Sequence, residues 1–542
     1  MKFVIITLTI LSFFDWCWCE SNYPPCLRLP LEGQVKTIDP SLTFDMSSIE
    51  LTEQLFLGLT NYIYRNSMYK IEPELATSWT IHEQGTVYRF QLRKGNFWVN
   101  SENERIRPVT AHDVVWAIKR NINPETDAPY ASALFILENA REIYQKNKEM
   151  DTIGVRALDD YSIEFKLANA ASCFPAMLTM WIYRPLPGEI IEKFGEKWTL
   201  PENILTNGAY RLTEWKKRRK ISLLSNRHFR GYKDIISEIH YYIVPESFAA
   251  LNMYTKDQLD IVGGNYTRFS PMGIFRISKL EALKPEHIQT TRFAVYSYHF
   301  NTKRPPVDNV LVRKAITSVI DRELLIDVIT KGGEQPASTF THPAFLGIKD
   351  DMPYQDTHFD PNKAREYLEK AGYPDGKNFP EMILCYDISD THHVIARSFQ
   401  IMLNHYLNID VVLAPMEWGD FIDAIDQPDK NKVPHIFRFG WASDYLDANN
   451  FLNEALSHSR NFSGWNDDTF DDLLLKASQE TNLEKRLELY REAEYIVTTD
   501  QVTIVPLYFE SDHYLIKPRV KGFFPMPIGG QHIEKWGLID AK

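Results

Sequence analysis

Cysteine is scarce in this chain of 542 residues, which contains only five. They are Cys17, Cys19, Cys26, Cys173 and Cys385. A fold held together by disulfide bonds needs a much higher density of cysteine, so that class of protein is excluded. Three cysteines remain if a leader is cut after Cys19, and none of these three forms a pair with metal-binding spacing. One disulfide bond could form among them, but the sequence does not determine its pairing.

Long basic clusters are also missing. The formal net charge is −12, and the most basic run, Lys216–Lys220, lies between Trp215 and the mostly apolar Ile221–Leu224. We interpret this run as the exposed turn of a hairpin. An acidic chain does not favour nucleic acid or anionic lipid as a partner, and we expect neither.

Motifs of several common enzyme classes are absent as well. The sequence has no G-x-S-x-G, no H-E-x-x-H, no P-loop and no G-x-G-x-x-G. His392 and His393 are adjacent and therefore do not share one face of a helix, which argues against a metal pair. We expect a binding protein without catalytic residues, metal or cofactor.

The strongest apolar run lies at the N-terminus. Lys2 is followed by Phe3–Phe14, a mainly apolar stretch of 12 residues that Asp15 ends. This length is too short to span a bilayer and is typical of a signal peptide, which we place at residues 1–19. Trp16 and Trp18 precede the two cysteines, where a bacterial lipoprotein signal prefers small residues, so lipid-anchored and free forms both remain open. No later segment approaches 18 uninterrupted apolar residues, and the mature chain is expected to be soluble.

The chain is too long for a single hydrophobic core, and two or three domains are expected. Helices and strands alternate, which predicts an α/β protein with partly parallel sheets. The predicted strands are Val87–Leu92, Ile153–Val155, Ser162–Leu167, Gly208–Glu214, Ile221–Leu224, Ile239–Val244, Phe293–Phe300, Met382–Tyr386, Val411–Pro415 and Val502–Phe509. The predicted helices are Glu50–Leu57, Ala111–Asn121, Ser247–Lys256, Asn309–Ile320, Asp321–Ile329, Pro361–Ala371, His392–Leu407, Phe470–Ser478 and Leu483–Asp500.

The segment His435–Leu452 is the most informative part of the sequence. A β-prone run, His435–Phe439, leads into a Gly440-Trp441 turn, and Asp444 and Asp447 follow. In open α/β sheets, ligands bind beyond the carboxyl ends of the strands. An arginine, an aromatic ring and a carboxylate grouped there suit a zwitterion, with an ammonium at one end and a carboxylate at the other. This pattern favours recognition of peptides or amino acids.

Ordered blocks over roughly residues 30–525 resemble the periplasmic oligopeptide-binding proteins, receptors of ABC importers. The blocks are Thr37–Pro40, Leu55–Leu59, Ala76–Trp79, Tyr88–Lys94, Trp98, Pro108–Val114, Asn123–Thr126, Pro129–Ser132, Ile191–Trp198, Thr206–Tyr210, Arg304–Pro306 and Gly440–Leu452. The resemblance implies a two-lobe periplasmic-binding-protein clamp with an extra domain inserted in the N-terminal lobe. Lobe I would comprise residues 20–56, 190–292 and 511–542, the inserted domain II residues 57–189, and lobe III residues 293–510. Hinge crossovers are expected near residues 290 and 510.

The resemblance also implies roles at the two ends of a bound peptide. Asp444, in the GW-x-x-D pattern, resembles the family residue that pairs with the peptide α-ammonium, and Asp447 is its rival. A buried ammonium needs such a partner. Arg438 and His392 resemble residues that meet the peptide carboxylate, for which arginine offers a planar pair of donors. The alternative for Arg438 is an internal ion pair.

Side-chain pockets are implied by aromatic residues. Tyr130, Trp418 and Trp441 resemble residues that line the family's cleft, although aromatic residues more often belong to a core. Phe44, Asp45 and Met46 resemble a strand that bonds the peptide main chain, as in β-augmentation.

Some family features are missing from this sequence. The segment 419–434 contains no arginine where some members carry a second one, which puts the carboxylate end of the site in doubt. Ala442 stands where some members have a disulfide cysteine. We expect a monomeric periplasmic receptor that delivers short peptides to the permease subunits of an ABC importer. The same clamp could instead hold a dipeptide, a murein peptide, a nickel complex or heme.

Overall fold

A computed structural model describes residues 26–539, except 66–67, 232, 234, 349–357 and 457–460. The predicted signal peptide therefore lies outside the described residues. None of the helices in the described part of the chain is both long enough and apolar enough to cross a membrane. The α-helices are α1 Met46–Leu55, α2 Ala111–Ile122, α3 Ala140–Tyr144, α4 Phe174–Met177, α5 Gly188–Phe194, α6 Ser247–Thr255, α7 Pro271–Lys279, α8 Val310–Ser318, α9 Arg322–Leu324, α10 Pro343–Leu346, α11 Pro361–Lys370, α12 Asp390–Leu407, α13 Trp418–Ile425, α14 Asp468–Gln479 and α15 Leu483–Tyr495.

The first sheet has four strands in the order β1-β12-β11-β10. They are β1 Cys26–Leu31, β10 Tyr210–Lys216, β11 Lys220–Ser225 and β12 Glu238–Ile243. Strand β1 lies at the edge and pairs in parallel with β12, far along the chain. The predicted hairpin with the basic turn is confirmed as β10 and β11.

Antiparallel strands occupy the segment that the sequence assigns to an insertion. A second four-stranded sheet has the order β4-β5-β9-β8; one short hairpin, β2-β3, precedes it in the chain, and another, β6-β7, lies between β5 and β8. The strands are β2 Thr60–Arg65, β3 Met68–Pro73, β4 Ala76–His82, β5 Val87–Leu92, β6 Phe97–Val99, β7 Arg105–Pro108, β8 Val155–Asp159 and β9 Ser162–Lys166. Helix α2 starts as predicted, since Asp113 at its third position accepts the backbone N–H of Thr110 at 2.8 Å.

An eight-stranded mixed sheet organises the second half. Its order is β13-β20-β14-β18-β16-β17, while β15 pairs with β20 and β19 pairs with β14. The strands are β13 Ile261–Gly263, β14 His287–Phe300, β15 Gln335–Pro336, β16 Met382–Asp387, β17 Val411–Met416, β18 Ile436–Arg438, β19 Trp441–Ala442 and β20 Ile504–Ile516; a last small pair consists of β21 Val520–Lys521 and β22 Gly537–Leu538. Parallel pairing of β16 with β17 and β18 confirms the predicted α/β class with partly parallel sheets.

Buried apolar side chains form several cores. The largest joins the first sheet to the strands of residues 76–166, and Trp536 from the C-terminal segment completes it. Two other cores cover the eight-stranded sheet, one around Tyr298 and one around Val295. These two residues point to opposite faces because side chains alternate along a strand. The exact division into lobes stays a prediction.

The structure corrects three sequence predictions. The first helix is Met46–Leu55 rather than Glu50–Leu57, and Phe44, Asp45 and Met46 do not form a strand. The strands β14 and β20 are each longer than predicted, since β14 begins at His287 and β20 continues to Ile516. The sequence left a disulfide bond open, and none joins Cys26, Cys173 or Cys385 to another described residue.

Candidate ligand-binding site

Two predicted residues, Arg438 and His392, meet at the carboxyl ends of parallel strands. Arg438 ends β18, and the neighbouring β16 ends at Asp387. The Nη1 atom of Arg438 lies 3.3 Å from an oxygen of Asp387, and Nε2 of His392 lies 3.5 Å from the other oxygen. Tyr296 closes the group, because its hydroxyl lies 3.2 Å from Nδ1 of His392 and its ring lies 5.2 Å from the Arg438 guanidinium.

This group places the negative charge of Asp387 beside the hydrogen-bond donors of Arg438 and His392. Burial raises the pKa of the Asp387 carboxyl, but the hydrogen bond from His392 and the charge of Arg438 outweigh burial and hold the pKa below its ordinary value of 3.8. The Nε atom of Arg438 is buried and has no hydrogen-bond partner among the described residues. In this arrangement Arg438 forms the internal ion pair that the sequence left as an alternative. A ligand carboxylate could replace Asp387 as the acceptor of this guanidinium.

Asp444 lies on a loop that Asn450 holds in place. The side-chain oxygen of Asn450 accepts both the indole N–H of Trp441 at 2.8 Å and the backbone N–H of Asp444 at 3.1 Å. The backbone N–H of Ser443 donates to the Phe293 carbonyl at 2.9 Å, which ties the same loop to β14. Asp444 is half-buried.

The rival carboxylate, Asp447, has a structural role. It is buried, and its oxygen lies 3.2 Å from the guanidinium of Arg486 on α15. Its other oxygen accepts the backbone N–H of Asn449 at 3.0 Å. Trp441 is also largely buried, in a core with Phe451, so its indole fixes the loop and offers little surface to a ligand.

Asp45 caps a helix. Its carboxylate accepts the backbone N–H of Ser48 at 3.0 Å and the Ser48 hydroxyl at 2.7 Å, which fixes the start of α1. The flanking Phe44 and Met46 expose 45% and 37% of their surface, so both can reach a ligand in the absence of a strand.

Tyr130 is close to this same segment. The indole N–H of Trp181 donates to the carbonyl of Thr43 at 2.9 Å, and the ring of Tyr130 packs edge-on against Trp181 at 4.8 Å. Trp418, at the start of α13, is 57% exposed.

The predicted residues thus form two groups. Arg438 on β18, Trp441 on β19, Asp444 on the loop after β19 and His392 on α12 lie around the eight-stranded sheet, whereas Tyr130, Phe44, Asp45 and Met46 belong to the N-terminal part of the chain. A cavity of about 830 Å³ between residues 34–42 and the β10-β11 turn contains none of them.

Sequence reasoning missed Asp387, Tyr296 and Trp181. One signal was available for Asp387, because it directly follows the predicted strand Met382–Tyr386 as Gly440 follows His435–Phe439. The carboxyl ends of neighbouring parallel strands lie at the same edge of a sheet. Tyr296 and Trp181 carry no comparable signal, since their contacts depend on pairing between distant segments.

Comparison with known families decides the class of the protein. Residues 70–463 match the model of the bacterial extracellular solute-binding proteins, family 5. The chain belongs to this family. A family 5 relative, the periplasmic oligopeptide-binding protein OppA of Escherichia coli, is 30% identical over 500 residues, which are 91% of this chain and 88% of the relative.

Solved family 5 structures share the whole fold. The murein tripeptide-binding protein MppA in its unliganded open form has a TM-score of 0.81 and 26% identity, covering 96% of this chain and 98% of that one. Haemophilus influenzae OppA in complex with the peptide RPPGFSPFR has a TM-score of 0.70 and 28% identity, covering 95% and 99%. The expected two-lobe clamp is confirmed.

Proposed function

We propose that this family 5 chain captures short peptides between its two lobes and delivers them to an ABC-type importer. The observation that carries the proposal is the placement of Asp444 and the Arg438-His392 group around one sheet, where Arg438 ends β18, His392 on α12 contacts the end of β16, and Asp444 follows β19. A carboxylate at one end and cationic donors at the other suit the ammonium and the carboxylate of a peptide. The relatives named for oligopeptides and murein tripeptide support the same ligand class.

The spacing of these groups limits the length of a peptide held at both ends. Six residues separate Arg438 from Asp444, so their backbones lie at most about 20 Å apart. An extended peptide advances about 3.3 Å per residue. An extended peptide whose ends lay beside the two backbones would therefore have about six residues, and the reach of the Arg438 and Asp444 side chains adds to that span.

Phe44, Met46 and Trp418 supply the apolar surface in this proposal. All three are exposed, and in this proposal closure of the lobes covers them. Side-chain preference would then depend on apolar contacts more than on charge, which suits a receptor of broad specificity. Periplasmic location, a monomeric state and delivery to permease subunits belong to the same proposal, as does the absence of catalysis.

Native mass spectrometry of the mature protein, as purified and after exposure to a mixed peptide library, tests the proposal. We expect wild type to release short peptides, whose masses give the range of lengths that the cleft accepts. Asp444→Asn should weaken their binding by at least about tenfold, because a buried ammonium loses its charged partner. Asp472→Asn is the matched control, since this exposed aspartate pairs only with Lys476 on the surface of α14.

Two results would contradict the proposal. If wild type carries no peptide and takes up none, the cleft binds another ligand. Nickel complexes and heme are then the next candidates to test. Products of peptide cleavage in a time course of the same mixture would indicate an enzyme.

A further inference from the structure

Three potential metal ligands lie together on the first sheet, outside the candidate cleft. Cys26 is the first residue of β1 and stands opposite Glu238 on β12, while His240 is two residues further along β12. The sulfur of Cys26, a carboxylate oxygen of Glu238 and a ring nitrogen of His240 all lie within 4.8 Å of one another. The closest pair is His240 Nε2 and Glu238 Oε1, at 2.7 Å.

The alternation of β-strands explains this grouping. Leu27 and Ile239 point into the core and are fully buried, so their neighbours Cys26, Glu238 and His240 point to the outer face of the sheet. The side chains of His240 and Glu238 retain 20% and 24% exposure. Solvent therefore reaches the group, and an ion can enter without unfolding of the sheet.

We propose that Cys26, Glu238 and His240 bind a Zn²⁺ ion. Thiolate, imidazole and carboxylate are the ligands that zinc takes in proteins, and three protein ligands leave a fourth position for water. Atoms bound tetrahedrally to one zinc at about 2.0–2.3 Å are about 3.3–3.8 Å apart, so side-chain rotations that shift the ligand atoms by about 1 Å suffice. On coordination the thiol proton passes to solvent, and the thiolate and carboxylate together balance the charge of the ion.

Neighbouring arginines do not prevent cation binding. Arg28 and Arg519 both bond to the carboxylate of Asp260, at 2.8 and 2.6 Å, which neutralises part of their charge. Arg519 also donates to the backbone carbonyl of Cys26 at 2.8 Å. The site therefore lies where the N-terminal strand, the middle strand β12 and the C-terminal segment meet, and a bound ion would fasten β1 to the sheet.

Zinc titration calorimetry of the mature protein without a histidine tag tests the site. We expect one Zn²⁺ per chain and a rise in melting temperature with zinc, because the ion binds the folded state. Loss of a residue that only hydrogen-bonds to a metal ligand weakens metal binding by about 10–100-fold. Cys26→Ser and His240→Gln each remove a ligand itself and should weaken zinc binding by at least that much. His112→Gln changes an exposed histidine outside the group and should leave zinc binding unchanged.

Cobalt substitution adds a direct readout of the sulfur. Wild type with Co²⁺ should show a thiolate-to-metal charge-transfer band that Cys26→Ser lacks, and circular dichroism should show that both proteins are folded. Absence of zinc uptake by wild type would overturn the proposal. So would uptake that survives in both Cys26→Ser and His240→Gln, because the ion would then lie elsewhere. Peptide binding by native mass spectrometry should be the same with and without zinc, which separates this site from the cleft.

Discussion

Asp387 links the two residues that were predicted to meet a ligand carboxylate. It accepts from both His392 and Arg438, and without a ligand it supplies the negative charge that the guanidinium needs. A peptide carboxylate entering this group would compete with Asp387 for Arg438. Release of an internal partner offsets part of the gain from the new ion pair, which favours moderate affinity and ready release to a transporter.

The loss of stability that results from replacing Asp387 should depend on pH. Asp387→Asn should lower the free energy of unfolding by about 1–3 kcal/mol at pH 7, because a largely buried guanidinium loses its charged acceptor. The folded-state pKa of Asp387 is lowered, so its contribution is full above its ordinary value of 3.8 and is lost as the pH falls through the folded-state value. Urea unfolding at pH 7 and near pH 3 measures the difference. A loss of equal size at both pH values would show that the ion pair is not its source.

At the scale of elements, Asp45 belongs to helix α1. Its two hydrogen bonds to Ser48 are those of an N-cap, and the exposed Phe44 and Met46 lie on either side of it. This placement assigns helix stability to the carboxylate and leaves ligand contact to its neighbours.

Two substitutions separate these roles. Asp45→Ala should reduce the free energy of unfolding by about 1 kcal/mol, the usual cost of losing a cap, whereas Asp45→Asn should be nearly neutral because asparagine caps equally well. Both variants should bind peptide as wild type does. Chemical denaturation together with a peptide-binding assay makes the comparison, and weaker peptide binding by Asp45→Asn would mean that the ligand uses the charge.

Local signals explain which elements the sequence predicts correctly. Strand β5 follows the alternation of VYRFQL, and α2 begins at the capping pattern of Thr110 and Asp113, both within one short segment. Asp45 is a comparable local cap signal, but the sequence prediction begins this helix at Glu50 instead of Met46. The Arg438-Asp387 pair depends on parallel pairing of β16 with β18, across a separation of 51 residues that no local pattern encodes.

At the scale of the whole molecule, β14 and β20 are long strands that pair with each other over most of their length. Their regular pairing is interrupted between Thr291-Ser511 and Val295-Phe509. Arg292 lies 3.6 Å from Glu510 at this interruption. An irregular ladder can change its dihedral angles with little loss of hydrogen bonding, and the predicted hinges near residues 290 and 510 fall here.

Small-angle X-ray scattering tests hinge closure. A compact chain of this length has a radius of gyration of about 24 Å. The free protein should exceed that value, and saturating peptide should bring the radius closer to it, because closure removes the open cleft. Asp444→Asn at the same peptide concentration should keep the larger radius. An unchanged radius in wild type with bound peptide would exclude closure as the response to the ligand.

The parallel pairing of β1 with β12 has a consequence for synthesis. The first strand of the described chain pairs with a strand more than 200 residues later in the sequence. The guanidinium of Arg519, which donates to the carbonyl of Cys26, is 493 residues away from Cys26 in the sequence. Contacts so distant in sequence form slowly because a long loop must close first. A chain that leaves the cell interior N-terminus first would emerge with its first sheet unfinished. Slow closure of that sheet would keep the chain unfolded, and so able to pass through a narrow channel, until its last segment had crossed.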